Sequence, residues 1–209
     1  MGILKPFLQI ARNLRYGIRV RGSTAIVRMG GREIVIEGGA EDAWEVFGEQ
    51  AYRWLSVDGK TVHDIGGSIG DSAMYFLQRG AKEVIIYEAD EGRVEMAKRN
   101  LASNSMQAAI VVGRVERLGQ VRAGAGDILK LDIEGGEYPL FENSSDGEIS
   151  LFSEIIMELH KGTGNIMERL EKLGYACRIT RNNDIFSPNA MILYASKKKE
   201  GETQAGGLA

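Results

Sequence analysis

From residue 61 onward the chain alternates short segments that are apolar at nearly every position with longer ones that are apolar on one side only. Segments 62–65, 83–87, 109–112, 128–133 and 155–159 read as strands. Segments 71–80, 91–103 and 165–173 read as helices, with Ala73, Phe76 and Leu77 on the inner side of the first, Val94, Ala97 and Leu101 on that of the second, and Gly174 as the C-cap of the third. A strand that is apolar on both faces must be covered on both faces, and strands separated by helices run parallel. The pattern therefore predicts an α/β fold, a doubly wound and mainly parallel sheet. Segments 175–180 and 191–195 have no helix between them, so they are expected to pair as an antiparallel hairpin at the sheet edge.

The first 55 residues follow another pattern. Leu4, Phe7, Leu8, Ala11 and Leu14 have helical spacing, with Pro6 tolerable only in a first turn. Three short β-branched runs, 16–20, 24–29 and 33–37, are split by Arg21-Gly22-Ser23 and Gly30-Gly31, which reads as a small meander. Segment 40–55 has Trp44, Phe47, Ala51 and Trp54 along one helical face. We therefore expect an N-terminal element over 1–55, a main domain over 56–197, and a charged, glycine-rich tail over 198–209 without order of its own.

Composition narrows the function. Lysine and arginine number 26, aspartate and glutamate 29, for a net charge of -3, so nothing global attracts nucleic acid. Arg12, Arg15, Arg19, Arg21, Arg28 and Arg32 form a local basic group in the N-terminal element; a solvated face is its plain reading, and a substrate lid, a homodimer contact or a patch for an anionic partner or membrane surface are the sharper ones. No run of about 18 apolar residues exists to cross a bilayer. Cys177 is alone and cannot form an internal disulfide, which fits a reducing cytoplasm.

In an open parallel sheet, ligands bind beyond the carboxyl ends of the strands. The first strand ends in Asp64-Ile65-Gly66-Gly67-Ser68-Ile69-Gly70-Asp71, where Gly66, Gly67 and Gly70 let a ligand touch bare backbone. Counted from Gly66, Ser68 and Asp71 fall where a dinucleotide fingerprint needs its second and third glycines, so the turn is a poor pyrophosphate loop. Asp64, two residues before the first glycine, would repel a pyrophosphate but suits a ligand carrying a sulfonium or amine. Glu88 ends the second strand, where a carboxylate can accept both hydrogen bonds of a ribose diol. Together these favour a nucleoside ligand, S-adenosylmethionine ahead of NAD.

Three segments, Asp64 to Asp71, Tyr87-Glu88-Ala89-Asp90 and Leu129-Lys130-Leu131-Asp132-Ile133-Glu134-Gly135-Gly136-Glu137, resemble the signatures of the FkbM-like methyltransferases, and Glu158-Leu159-His160 and Leu173-Gly174-Tyr175 continue the likeness. It spans residues 55–196. The resemblance implies a class I fold of seven strands, the last antiparallel, with Gly66, Ser68 and Gly70 along the methionine part of S-adenosylmethionine, Glu88 at the ribose, Asp64 close by, and Asp132 facing both cofactor and substrate. Ser68 stands where the family has Asn. Segment 113–117 lacks an acid immediately after the third strand, so the adenine contacts stay open.

No Asn/Asp-Pro-Pro-aromatic motif follows the fourth strand, which argues against methylation of adenine or amide nitrogen. Carboxylates and a histidine point instead to an O-methyltransferase, since a neutral hydroxyl is a weak nucleophile until a base takes its proton. We expect the acceptor to be a small molecule or saccharide, with Asp132 orienting it, His160 accepting its proton, and Glu134 and Glu158 as neighbouring candidates. Glu134 and Glu137 also read as solvated acids near a helix N-terminus. No residue is assigned as a metal ligand, although Asp132, Glu158 and His160 offer an oxygen and nitrogen set that a divalent metal accepts, as in some O-methyltransferases. An NAD-dependent oxidoreductase and a non-catalytic cofactor-binding protein of the same fold are the alternatives.

Overall fold

In the computed structural model, residues 17–40, 43–181 and 191–197 are described; the expected helix over 3–15 and the tail over 198–209 lie outside them. The meander forms as three antiparallel strands, β1 (Arg19–Arg21), β2 (Thr24–Met29) and β3 (Arg32–Ile36). The main sheet has seven strands: β4 (Thr61–Ile65), β5 (Glu83–Glu88), β6 (Ala109–Val112), β7 (Asp127–Leu131), β8 (Phe152–Leu159), β9 (Tyr175–Arg181) and β10 (Met191–Lys197). Their order is β6-β5-β4-β7-β8-β10-β9. The first five are parallel, and β10 runs antiparallel to both of its neighbours. The expected hairpin is present, with one refinement: β10 inserts between β8 and β9, leaving β9 outermost.

Alternation along the strands explains the two cores. Val62 and Ile128 face one side with α1 (Asp71–Gln78), α2 (Glu91–Ser103) and the meander; Ile65, Leu129, Leu131, Ile155 and Met157 face the other. That second side packs against α3 (Glu137–Asn143), α4 (Asp146–Ile149) and α5 (Ile166–Lys172). The period of α2 survives intact, with Val94, Ala97, Asn100 and Leu101 buried and Asp90 accepting from the Arg93 N–H at 2.9 Å as its N-cap.

One expectation fails locally. Segment 40–55 is not one helix: Trp44–Gly48 make a single π-helical turn, closed by Glu49 N–H to the Trp44 carbonyl at 2.7 Å, and Gln50 then takes a left-handed φ of 53° that ends it. Its aromatic residues still turn inward, so their spacing reports burial and not a continuous helix. The connection between β7 and β8 holds α3 and α4, too short for a periodic signal to stand out.

The meander is attached through α2. Asn104 accepts from the Val35 N–H at 2.8 Å and donates to the Val35 carbonyl at 2.7 Å. Asn100 does the same at Glu37 and also donates to the Ile69 carbonyl at 3.0 Å. Two amides one helical turn apart thus stand in for a neighbouring strand along the open edge of β3.

Candidate active site

The chain runs from β4 outward to β5 and β6, then returns to place β7 on the other side of β4. This reversal opens a crevice above the ends of β4 and β7. A cavity of about 1000 Å³ lies there.

Its floor is the loop after β4. Gly66 takes φ 78°, and a β-carbon there would stand 1.8 Å from the Asp132 carbonyl oxygen, so only glycine allows the two strand ends to meet. Backbone bonds fix the approach: Gly66 N–H to the Tyr87 carbonyl at 2.9 Å, Asp132 N–H to the Ile65 carbonyl at 3.1 Å. Glu88, only 8% exposed, accepts the Ser68 N–H on Oε2 at 3.0 Å and the Asp90 N–H on Oε1 at 2.9 Å. Both oxygens keep further lone pairs, since a carboxylate has about four acceptor sites.

Beneath the loop is a buried ion pair. Lys130 Nζ lies 3.0 Å from Asp64 Oδ1 and 3.8 Å from Asp132, and donates to the Gly66 carbonyl at 2.8 Å. Ser72 donates to the other Asp64 oxygen at 2.6 Å. Burial works against the ammonium, but the Asp64 and Asp132 carboxylates outweigh it and hold Lys130 above the ordinary lysine range, so the residue is charged. Tyr52 closes this corner, with Lys130 Nζ 5.9 Å from its ring centroid. Burial and then the charges of Asp132, Glu45, Asp71 and Asp64 push its hydroxyl well above the usual tyrosine value, so it keeps its proton.

The acceptor end lies past Asp132. Burial raises the Asp132 carboxyl, Lys130 opposes that, and Glu134 and Glu137 push it further up. Glu137 is fully buried; its Oε1 accepts the N–H groups of Ile133 and Gly135, each at 3.1 Å, and so ties down the loop that carries Asp132. The expectation that Glu137 is solvated is therefore corrected: the backbone amides of its own loop hold it inside. Glu134 is solvated, with its side chain 84% exposed and its backbone at a left-handed φ of 54°. His160 sits between them, Nδ1 3.3 Å from Glu137 and Nε2 3.3 Å from Glu134. Tyr138 fixes the turn beyond it, accepting from Lys161 N–H and donating to the Gly162 carbonyl, both at 2.7 Å.

Of the residues picked out from sequence, Gly66, Ser68, Glu88, Asp132, Glu134 and Glu158 line the cavity. Asp64, Gly67 and Gly70 do not: Asp64 lies on the face of β4 that packs against α1, hydrogen-bonded to Ser72, and the two glycines shape the loop from behind. His160 is likewise set back from the wall, although its ring, Asp132 and Glu158 offer ligand atoms within 4.8 Å of one another. Sequence reasoning missed Lys130, Tyr52, Asp71 and Glu45 on the wall, and it left open Gly113 to Glu116, which line the end beyond Glu88. Lys130 did carry a signal: it is the one charged residue among the apolar positions 128–131.

No established protein-family profile matches the chain. It is 31% identical over 133 residues to the uncharacterized protein 158B of Sulfolobus islandicus rod-shaped virus 1, a match covering 62% of this chain and 78% of the relative. It is also 31% identical over 137 residues to the uncharacterized protein 65 of Sulfolobus islandicus filamentous virus, covering 63% and 78%. Solved structures of similar fold include a ribosomal protein L11 methylase of Lactobacillus delbrueckii, with TM-score 0.59, 18% identity, and 78% and 83% of the two chains covered. The magnesium protoporphyrin IX methyltransferase of Synechocystis with bound SAM gives 0.54, 19%, 72% and 76%. The tRNA (uracil-54, C5)-methyltransferase of Pyrococcus abyssi, in complex with S-adenosyl-L-homocysteine, gives 0.59, 16%, 85% and 45%. The fold is thus that of the class I methyltransferases.

Proposed function

The chain belongs to the family of the viral proteins 158B and 65, and we propose that it is an S-adenosylmethionine-dependent O-methyltransferase acting on a hydroxyl of a small molecule or saccharide. The observation that carries this reading is the meeting of the glycine loop with Asp132 beneath one cavity, with Glu88 at the adjoining strand tip. Gly66 and Ser68 would hold the methionine part of the cofactor and Glu88 the ribose. Segment 113–116, with Val115 and Leu140 as apolar cover, would hold the adenine. The cofactor supplies an electrophilic methyl group; the chain positions both reactants, which accounts for much of the acceleration in such a displacement. We assign the FkbM-like branch on the block from Leu129 to Glu137, of whose three acids the loop uses Asp132 and Glu137 so differently.

The site argues against a dinucleotide. The Ser68 N–H is already donated to Glu88 and is not available to a pyrophosphate. Seven Asp or Glu residues line the cavity against three Arg or Lys, a field that repels polyanions and suits a neutral polyol. Such a hydroxyl would lie at Asp132, Glu134 and Glu158, and this acidic end would take its proton. No described helix is long and apolar enough to cross a membrane, and the single Cys177 suits a reducing, cytoplasmic setting. Calorimetry with S-adenosylhomocysteine and with NADH, followed by mass-spectrometric detection of methyl transfer to a panel of saccharides and small hydroxylated compounds, tests the reading. Binding of NADH in place of S-adenosylhomocysteine would overturn it.

A further inference from the structure

We propose that Asp132, Glu158 and His160 bind one divalent cation of the Mg²⁺ or Mn²⁺ type, placed to hold the acceptor oxygen. Asp132 follows β7, and Glu158 and His160 end the adjoining β8, so the sheet itself brings the three together. They offer two carboxylate oxygens and an imidazole nitrogen within 4.8 Å of one another. The two carboxylates are hard donors and the imidazole a borderline one, a mixed set that Mn²⁺ accepts and that leaves positions open for water and a substrate oxygen. A six-coordinate Mg²⁺ holds its ligands at about 2.1 Å, hence about 3 Å apart, so the donors would draw inward from their present spacing on binding it. The exposed Glu134 carboxylate, 3.3 Å from Nε2 of His160, stands where a fourth donor would.

A second observation lies outside the donor set. Glu137 is 0% exposed, and its Oε2 has no hydrogen-bond partner among the described residues. Its other oxygen is 3.3 Å from His160 Nδ1. His160 Nδ1 is itself buried without a hydrogen-bond partner among the described residues; a small turn of the ring would let it donate to Glu137, orienting a metal-binding histidine and leaving its far nitrogen for the ion. Charge points the same way. Buried charges are paired or coordinate metals; the buried Glu137 and the half-buried Asp132 converge here with Glu134, and among the described residues the buried ammonium of Lys130 is 3.8 Å from Asp132 but closer, at 3.0 Å, to Asp64.

The use of the cation rests on the methyltransferase reading. A hydroxyl bound to it would lose its proton more readily, to water in the open cavity. The freed oxygen lone pair would form the bond to the methyl carbon as the carbon–sulfur bond breaks and its electrons return to sulfur.

The test is titration of the full chain with Mn²⁺, following the free ion by electron paramagnetic resonance, with S-adenosylhomocysteine affinity measured separately by calorimetry. One Mn²⁺ per chain is expected. Glu158→Gln and His160→Gln should each weaken it at least about tenfold, and Glu137→Gln by about 10–100-fold, all with cofactor affinity within about twofold. Glu158→Gln, at the cavity wall, carries the test should Glu137→Gln fail to fold. Absence of saturable Mn²⁺ binding, or binding that Glu158→Gln and His160→Gln leave unchanged, would overturn the site. Mn²⁺ binding without S-adenosylhomocysteine binding would uphold it and remove the methyltransferase reading; the reverse result would do the opposite.

Discussion

Replacing Gly66 with alanine should be among the most damaging single-methyl additions in this chain. Two costs combine. At φ 78° an alanine sits in the left-handed region, which costs about 1–2 kcal/mol for a residue with a β-carbon. That β-carbon would also stand 1.8 Å from the Asp132 carbonyl oxygen, 2.8 Å from its carbon and 2.9 Å from Ile133 Cγ2. Two of those neighbours are backbone, so relief requires β4 and β7 to part at their tips, adding about 1–3 kcal/mol by comparison with overpacked cores. The sum, about 2–5 kcal/mol, corresponds to a melting temperature lower by about 5–15 °C in a domain of this size. Gly174 provides the control: its φ is 87° but nothing lies within 4 Å of an added β-carbon, so Gly174→Ala should show only the conformational part, about 3–6 °C. Circular dichroism melts of both variants decide the matter. If Gly66→Ala and Gly174→Ala melt together, the close meeting of loop and strand end is not as described, and the site built on it falls too.

Three further outcomes follow from the same contacts. Glu88→Ala removes the acceptor for two backbone N–H groups and for the proposed ribose, so S-adenosylhomocysteine should bind about 1.5–3 kcal/mol more weakly in calorimetry while the fold persists by circular dichroism; unchanged affinity would remove Glu88 from the cofactor site. Lys130→Met leaves the Asp64 carboxylate buried without its cation and should cost about 3–5 kcal/mol in urea unfolding, with Asp64→Asn added to it recovering part of the loss. Asn104→Ala strips both backbone partners from Val35 and should cost about 1–3 kcal/mol, with the Val35 amide exchanging faster in deuterium oxide; an unchanged exchange rate would mean the meander does not depend on α2.

The main sheet was legible because burial on both faces forces a strand to be apolar throughout. Segments 109–112 and 91–103 coincide with β6 and α2 to the residue. Legibility failed where burial and regular structure part company. Trp44, Phe47, Ala51 and Trp54 have helical spacing and do pack inward, yet a left-handed Gln50 breaks the helix between them. Nor does local pattern say where an edge strand inserts: β10 beside β8 is decided by pairing between distant segments, with Ile192 opposite Glu158 on one side and Thr180 on the other.

At the candidate site, strand ends pointed to the crevice that holds the cavity, but residue type alone does not say which way several side chains face. Asp64 was expected beside the ligand because an acid near a sulfonium makes electrostatic sense. The pleat decides otherwise. Val62 and Asp64 share a face, and the parallel register sets Asp64 directly against Lys130, so two charges that look out of place in apolar strands answer each other across β4 and β7. Glu137 misled for a related reason: an acid in the first turn of a helix belongs in solvent unless its own loop turns amide groups toward it, as Ile133 and Gly135 do. Both carboxylates are spent on holding loops, Asp64 through Lys130 to the Gly66 carbonyl and Glu137 to the segment that carries Asp132. The fold thus places its buried charge under the floor of the cavity and leaves Glu88, Asp132, Glu134 and Glu158 on the wall. A loop tied down from behind, next to acids that open onto the cavity, is what positioning a cationic reactant requires.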